Sequence, residues 1–193
     1  MNKLFKTISA LFVFCIVFSC SDDDGARELG KYGFNYNSQF YVLNTASYVD
    51  ENVEDEITPS NLSIVLSNVN LTTSNAISNV TKLQFDFNGI TLEKGTIAEI
   101  SNYSIQINGF FVKNTEDENY TYNNGTFLLN SSDLSLVATE KTVTIDDVNL
   151  TDSTISLTFS FTRADGQVFS GTYTGLFTDD SIVPEEENPE DPE

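Results

Sequence analysis

Carboxylates are the only acid–base side chains that this chain of 193 residues offers in quantity, because it has 29 Asp and Glu and no histidine. The lack of histidine excludes Ser-His and Cys-His nucleophile pairs and removes the commonest zinc ligand. A glycosidase instead needs two acids that face each other across a cleft. Asp86, Asp146 and Asp147 lie on predicted strands or at their ends, but nothing in their spacing pairs them. We therefore predict no catalytic residue and no cofactor, with a small carboxylate-dependent hydrolase as the enzymatic alternative.

Oxygen-rich loops are the second candidate chemistry, because carboxylate and amide oxygens are the ligands that calcium prefers. The chain has no D-x-[DN]-x-[DN]-G loop. Its richest donor clusters lie at 50–56 and 116–119, and the weak calcium candidates in them are Asp50, Glu51, Asp55 and Asp117. A solvated acidic loop is the commoner form of such a cluster, so we predict no metal site.

Four tyrosines lie in predicted loops and are candidates for binding a partner: Tyr48, Tyr103, Tyr120 and Tyr122. The last two adjoin the turn Asn123-Asn124-Gly125. An aromatic ring with a polar tip suits an interface that is partly wet. Such rings beside Asn and Asp could stack on a sugar or contact a protein. Burial in the core or in a cross-strand pair is the alternative.

The first twenty residues have the three parts of a secretory signal. Two lysines form a positive start, an apolar run covers residues 8–18, and the small Ser19 precedes Cys20. The run is shorter than the roughly 20 apolar residues of a membrane-spanning helix. We predict that residues 1–19 are a signal peptide cleaved before Cys20 and that residues 20–32 are a flexible tether. An ordinary secretory signal with a chance cysteine is the alternative.

The dipeptide Ser19-Cys20 resembles a lipobox, in which the cysteine thiol carries a diacylglyceryl group and becomes the new N-terminus. The polar stretch after it, Ser21 to Asp24, resembles that of lipoproteins from Bacteroidetes-type bacteria. This resemblance implies an acylated Cys20 and an outer-membrane protein that faces the cell exterior. Several acyl chains hold a protein firmly, because each buried CH₂ adds about 0.8 kcal/mol.

Three further segments resemble a broad group of small Bacteroidetes lipoproteins whose role is unassigned. They are LQFDFNG at 83–89, YTYNNGTF at 120–127 and ISLTFSFTRADGQVFSGTYTG at 155–175. The resemblance implies a β-domain at the cell surface and transfers no catalytic residue. Two triplets, Asp-Ser-Thr and Asp-Ser-Ile, also resemble the acceptor pattern for O-glycans in this group. They make Ser153 and Ser181 candidates for glycosylation.

Alternation of apolar and polar residues with a period of two dominates residues 33–178 and predicts strands with one buried and one wet face. The clearest apolar series is Ile155, Leu157, Phe159 and Phe161. Many such short strands with Asn, Gly and Asp turns predict an all-β domain, either an antiparallel β-sandwich or a flattened β-barrel of about 8–10 strands. A single first strand is predicted over 34–42, and helical turns only at 74–80 or 96–101.

One hairpin can be placed in register from the sequence. A three-residue loop with Gly166 in the left-handed region pairs Arg163 with Gln167, whereas a two-residue Asp-Gly loop would place apolar residues opposite polar ones. Burial decides register, so the predicted pairs are Phe161–Phe169, Phe159–Gly171, Leu157–Tyr173 and Ile155–Gly175. Two glycines then face the interior, where they mark a bend or close packing, or lie under aromatic rings.

Charge and cysteine content limit the partners and the chemistry of the domain. The formal net charge of −20 at pH 7 repels phosphate backbones, so we predict no nucleic-acid partner. Both cysteines lie within the first twenty residues, so the mature domain is predicted to contain no disulfide. Residues 179–193 combine acids with prolines and are predicted to be a disordered tail.

These features together predict a membrane-anchored, surface-exposed lipoprotein whose domain binds a glycan or a protein, or coats the cell, without catalysis. Its membrane contact runs through acylated Cys20, and its oligomeric state stays open. A lipocalin-like carrier of a small apolar ligand and a carboxylate-dependent hydrolase are the alternatives. An interior space lined by Phe and Gly would favour the carrier, and two acids about 5–10 Å apart in one cleft would favour the hydrolase.

Overall fold

The computed structural model describes residues 32–51, 59–71, 76–97, 99–113, 120–123 and 125–181. Within these residues the domain is all-β, as the alternation predicts, with twelve strands where the sequence predicts about 8–10. The strands are β1 (Gly33–Tyr36), β2 (Gln39–Val42), β3 (Thr45–Asp50), β4 (Ser60–Ser67), β5 (Ala76–Ile90), β6 (Gly95–Ile97), β7 (Ile100–Lys113), β8 (Tyr120–Asn123), β9 (Thr126–Asn130), β10 (Ala138–Asn149), β11 (Thr154–Arg163) and β12 (Val168–Asp179). The predicted signal peptide, Cys20, nearly all of the tether and most of the tail lie outside the described residues.

The strands form one sheet in the order β6-β10-β11-β12-β3-β4-β5-β7-β8, to which β1, β2 and β9 are attached. The sheet curls into a half-barrel. Neighbouring strands are antiparallel except β12 and β3, where Phe177 pairs with Ala46 in a parallel register. One edge of β12 therefore has two partners, β1 beside Gly171 and β3 beside Asp179.

The helical turns predicted at 74–80 and 96–101 are wrong. Residues 76–80 belong to β5 and pair with β7, and Thr96 of β6 pairs with Thr144 of β10. Cross-strand pairing outweighs a weak local preference in segments as short as these. None of the described residues lies in a helix long and apolar enough to cross a bilayer.

The single first strand predicted over 34–42 is also wrong, because the chain reverses at Asn37-Ser38 to form the hairpin β1–β2. Both turn residues have positive φ, 48° and 63°, as in the type I′ turns that suit the twist of a tight hairpin. Asn adopts this left-handed region more readily than most residues. The hairpin docks on β12 by pairing Phe34 with Gly171.

The predicted register of β11 and β12 is confirmed. The Arg163 N–H donates to the Gln167 carbonyl at 2.8 Å, and Gly166 has a φ of 84°. All four predicted pairs occur: Phe161–Phe169, Phe159–Gly171, Leu157–Tyr173 and Ile155–Gly175. The apolar members of these pairs are buried in the core. The hairpin therefore contributes one continuous apolar surface to the inside of the curled sheet.

Aromatic rings pack across the interior of the half-barrel. Phe85 of β5 lies against Phe159 and Phe161 of β11, with ring centroids 5.6 and 5.5 Å away. Tyr103 of β7 lies 5.2 Å from the Phe161 ring. Fully burying a side chain of this kind stabilises the fold by about 1.5–3 kcal/mol. These contacts hold β5 and β7 over β11 and so maintain the curl.

Side chains join the two ends of the curled sheet at a seam between β7 and β10. The Ala138 N–H donates to the Tyr103 hydroxyl oxygen at 2.7 Å. Lys141 shares the inward parity of Val143 on β10, and its Nζ donates to the Ile100 carbonyl at 2.6 Å. An inward-pointing lysine discourages the pairing of further strands at a sheet edge. The seam is thereby closed without a continuous ladder of backbone hydrogen bonds.

Candidate binding face

The outward side chains of β4, β5, β7 and β9 form a surface that we call the polar face. Strand register aligns them in three rows across the sheet, Ser63–Asp86–Asn102, Val65–Gln84–Ser104–Asn130 and Ser67–Lys82–Gln106–Phe127. The inward neighbours of these residues are the buried Leu, Ile and Phe of the core. The period of two therefore determines which polar groups share this surface.

The Asp86 carboxylate is the centre of a hydrogen-bond network on the polar face. Its oxygens accept from Ser63 Oγ at 2.7 Å, from Gln84 Nε2 at 3.0 Å and from Asn102 Nδ2 at 2.8 Å. Asn102 Oδ1 in turn accepts from the Ser131 hydroxyl. A network connected in this way holds its side chains in fixed rotamers. The exposed Asn102 amide is thus held in one orientation.

Lys82 continues the network along β5. Its Nζ donates to Gln84 Oε1 at 3.0 Å. Burial lowers the pKa of the Lys82 amine below its usual value, and attraction to Asp86 offsets part of that shift. The charge of this amine is therefore partly shielded from solvent, and Asn102 is the exposed polar side chain of the network.

Gln106 is buried, although the alternation along β7 predicts that its side chain is exposed to solvent. The cause is Gly125, whose backbone lies against the Gln106 side chain so closely that a Cβ there would stand 2.0 Å from Nε2. The alternation of β7 gives no sign of this cover, because it comes from the segment that leads into β9. One end of the polar face is therefore closed over, and Phe127 stands at its margin opposite Gln106.

Two exposed phenylalanines border this end of the polar face. Phe127 is 42% exposed and Phe110 is 39% exposed. Phe110 pairs with Ser78, beyond two register shifts that separate this pair from Gln106–Lys82. The register with Gln106 places Phe127 at the margin of the polar face, and Phe110 is a second exposed ring further along β7.

The structure corrects the placement of two predicted binding tyrosines. Tyr48 and Tyr103 lie in strands β3 and β7 and are buried in the core. Tyr48 packs edge-on against Phe177 with ring centroids 5.4 Å apart, and the Tyr103 hydroxyl accepts at the seam. The Tyr103 phenol thus satisfies its polar tip inside the fold, and both rings belong to the buried core.

The other two predicted tyrosines lie in β8, where Tyr120 pairs with Lys113 and Tyr122 with Phe111. Their side chains lie outside the described part of the chain, so their role in binding stays a prediction. Sequence reasoning missed Phe110 and Phe127. The doublet Phe110-Phe111 breaks the alternation of β7, and this break is the available sign that one of the two rings faces outward.

The carboxylates of the two calcium candidates that the structure describes form hydrogen bonds with other side chains. The Asp50 carboxylate is buried and accepts from the Ser60 hydroxyl, and Glu51 Oε2 accepts from Asn61 Nδ2 at 2.7 Å. Asp55 and Asp117 lie outside the described residues. No group of three or more potential metal-binding side chains occurs within the described ranges.

The two glycosylation candidates differ in their surroundings. Ser181 Oγ accepts from the Asp50 N–H at 2.8 Å, so its hydroxyl helps to hold the end of β3. Ser153 lies in the turn between β10 and β11 with a φ of 50°. Glycosylation of either residue stays a prediction.

The acids considered for hydrolysis lie on strands that are not neighbours. Asp86 is held by the network on β5, whereas Asp146 and Asp147 lie on β10 beside a register shift. A shallow cavity of about 330 Å³ does open near the seam, lined by Asn88, Glu99, Ile100, Ser101 and Lys141. Four of these five residues are polar by type, and none is the Phe or Gly expected in the lining of an apolar carrier.

Comparisons of this chain with protein-family models, with curated proteins and with solved structures find no match. The function is therefore inferred from the chemistry of its own surfaces. Among the described residues, the polar face combines amides held in hydrogen bonds with the exposed ring of Phe127.

Proposed function

We propose that this chain is a lipid-anchored, non-catalytic module that binds an uncharged glycan outside the cytoplasm. The observation that carries the binding part is the exposed ring of Phe127 beside amides held by Asp86, with the exposed Phe110 further along β7. The anchoring part rests on the signal sequence and on the resemblance of Ser19-Cys20 to the lipobox of Bacteroidetes-type lipoproteins. A cell-surface, outer-membrane location is part of the same proposal.

The chemistry of a sugar chain matches this surface. The C–H face of a sugar ring packs against an aromatic ring, and its hydroxyls exchange hydrogen bonds with planar side chains such as Asn102 and Gln84. The net charge of −20 repels anionic partners but leaves a neutral polysaccharide unaffected. A few polar groups in fixed positions beside apolar rings are also typical of ligand-binding sites.

Removing the two rings should weaken glycan binding. Each ring contact of this kind contributes about 0.5–1.5 kcal/mol, which corresponds to roughly a 2- to 10-fold loss of affinity for Phe110→Ala or Phe127→Ala. Affinity electrophoresis through gels that contain neutral polysaccharides would first identify a ligand and then measure both variants. Asn102→Ala should also weaken binding, because it removes an oriented amide.

Leu176→Ala is the matched control for this experiment, because Leu176 is an exposed apolar residue on the outer side of β12. Its migration should equal that of the wild type in every gel. Equal binding by the wild type and the Phe110→Ala/Phe127→Ala double variant would contradict the proposed site. If no neutral polysaccharide retards the wild type or any variant, the choice of a glycan as the ligand is contradicted.

The anchor predicts a clear difference between the two cysteines. Cys20→Ala should abolish labelling by radioactive palmitate and release the protein from membranes, because the acyl chains have no other attachment point. Cys15→Ala should keep both properties, since residue 15 lies in the segment that is removed. Protease treatment of intact cells should release domain peptides from the wild type. Labelling of Cys20→Ala, or protection of the domain in intact cells, would contradict anchoring at Cys20 or surface exposure respectively.

A further inference from the structure

The N-terminal hairpin β1–β2 presents an uncharged surface in a strongly acidic protein. Residues 32–49 contain no Asp, Glu, Lys or Arg, although the whole chain carries 38 such residues, 29 acidic and 9 basic. The hairpin turn, Asn37-Ser38, and the neighbouring Gln39 are exposed. The acids of β3 and β12 lie at the far ends of those strands, beyond Val49 and Thr178. This hairpin is thus a part of the surface that an anionic layer does not repel.

One aromatic ring of the hairpin faces outward while the others hold the hairpin on the core. Phe40 is 37% exposed, and its cross-strand partner Asn35 is exposed as well. The alternate residues turn inward, where Tyr41 stacks on Phe34 at 5.3 Å and Tyr36 stacks on Phe169 at 5.6 Å. Because its inner rings are packed in this way, the hairpin presents Phe40 from a supported backbone.

The length of chain before the hairpin limits how far it can lie from the proposed anchor. Tyr32 follows Cys20 by twelve residues, and each residue spans at most about 3.6 Å, so the hairpin begins within roughly 40 Å of the acylated thiol. A tether of this length keeps the local concentration of the bilayer surface high. A contact that would be too weak for a free domain can then form.

We propose that the β1–β2 hairpin docks on the headgroup region of the bilayer that holds Cys20, with the Phe40 ring at the boundary with the acyl chains. Aromatic rings are enriched at this depth of a membrane. The amides of Asn35 and Asn37 are suited to hydrogen-bonding with phosphate and ester oxygens around the ring. The proposal rests on the lipid anchor of the proposed function. It orients the domain so that the hairpin meets the membrane.

A tryptophan at position 40 can report this contact, because the chain contains no tryptophan. Full-length acylated Phe40→Trp would be reconstituted on phosphatidylethanolamine–phosphatidylglycerol vesicles, with and without bromine on the acyl chains. We expect a blue shift of the emission on vesicles and its quenching by the brominated chains. The control is Leu176→Trp, at a residue that is 68% exposed on β12, and its emission should change in neither respect. Asn35→Trp, on the same side as Phe40, should behave like Phe40→Trp and serves if that variant does not fold.

The outcomes separate the hairpin contact from the anchor. Flotation of the protein with the vesicles, without quenching at position 40 or 35, would overturn the docking and leave the anchor standing. Equal quenching at positions 40 and 176 would also overturn it, because the contact would then not be specific to the hairpin. Failure of every variant to float with the vesicles would overturn the anchor and the docking together.

Discussion

Replacing Gly171 with alanine is expected to destabilise the domain by about 3 kcal/mol or more, at or above the upper end of typical overpacking costs. A Cβ at this position would stand 2.2 Å from the Gly33 carbonyl oxygen and 2.6 Å from Cζ of Phe159. The first of these neighbours is backbone and cannot turn aside. The hairpin β1–β2 would have to move off β12, where Phe34 now pairs with Gly171. Urea denaturation followed by far-ultraviolet circular dichroism would measure the loss.

Two neighbouring substitutions make this expectation specific. Gly175→Ala places its Cβ 2.9 Å from the Tyr173 hydroxyl, a longer approach that meets a side chain and not backbone, so its cost should be smaller. Ser170→Ala changes an exposed residue on the outer side of β12 and should alter the free energy of unfolding by no more than about 0.5 kcal/mol. Similar stabilities for Gly171→Ala and Ser170→Ala would contradict the close approach of β1.

The β11–β12 hairpin shows which part of the fold the sequence can predict. Its strands are adjacent in the chain, their apolar residues alternate, and Gly166 supplies the left-handed residue of a short loop. Each of these signals is local, and burial selects one register among few candidates. The pairing of Phe159 with Gly171 followed from this reasoning. The same reasoning left open why glycine is needed there, because the Gly33 carbonyl comes from the opposite end of the chain.

The remaining pairings depend on contacts between distant segments. The parallel pairing of β12 with β3 joins Phe177 to Ala46. Neither strand carries a sequence pattern that identifies the other as its partner. Tyr48 illustrates the consequence. It is predicted in a loop, but pairing with β4 on one side and β12 on the other makes it part of a buried strand.

The alternation in the sequence predicts which residues of the polar face point outward, but it does not predict which of them lie together. The polar parity of β5 identifies Gln84 and Asp86 as outward residues, yet only the register with β7 brings Asn102 to the Asp86 carboxylate. The exposure of Phe110 depends on register shifts near Asn79 and Asn108, which have φ values of 58° and 53°. Such bulges arise from the fit between two strands, so neither strand predicts them alone.

Replacing Phe161 with alanine is expected to cost about 3–5 kcal/mol, the usual range for removing a buried ring from a packed core. Phe161 is fully buried, stacks on Phe85 at 5.5 Å and lies 5.2 Å from Tyr103. Tyr103 also accepts the Ala138 N–H at the seam, so losing the ring that packs against it should loosen that hydrogen bond. The rate of hydrogen exchange at the Ala138 amide should therefore rise by more than the loss of global stability alone would cause. Leu176→Ala, at an exposed site, should change neither stability nor exchange by a measurable amount. Loss of stability in Phe161→Ala with unchanged relative protection at Ala138 would show that the seam is held independently of the aromatic core.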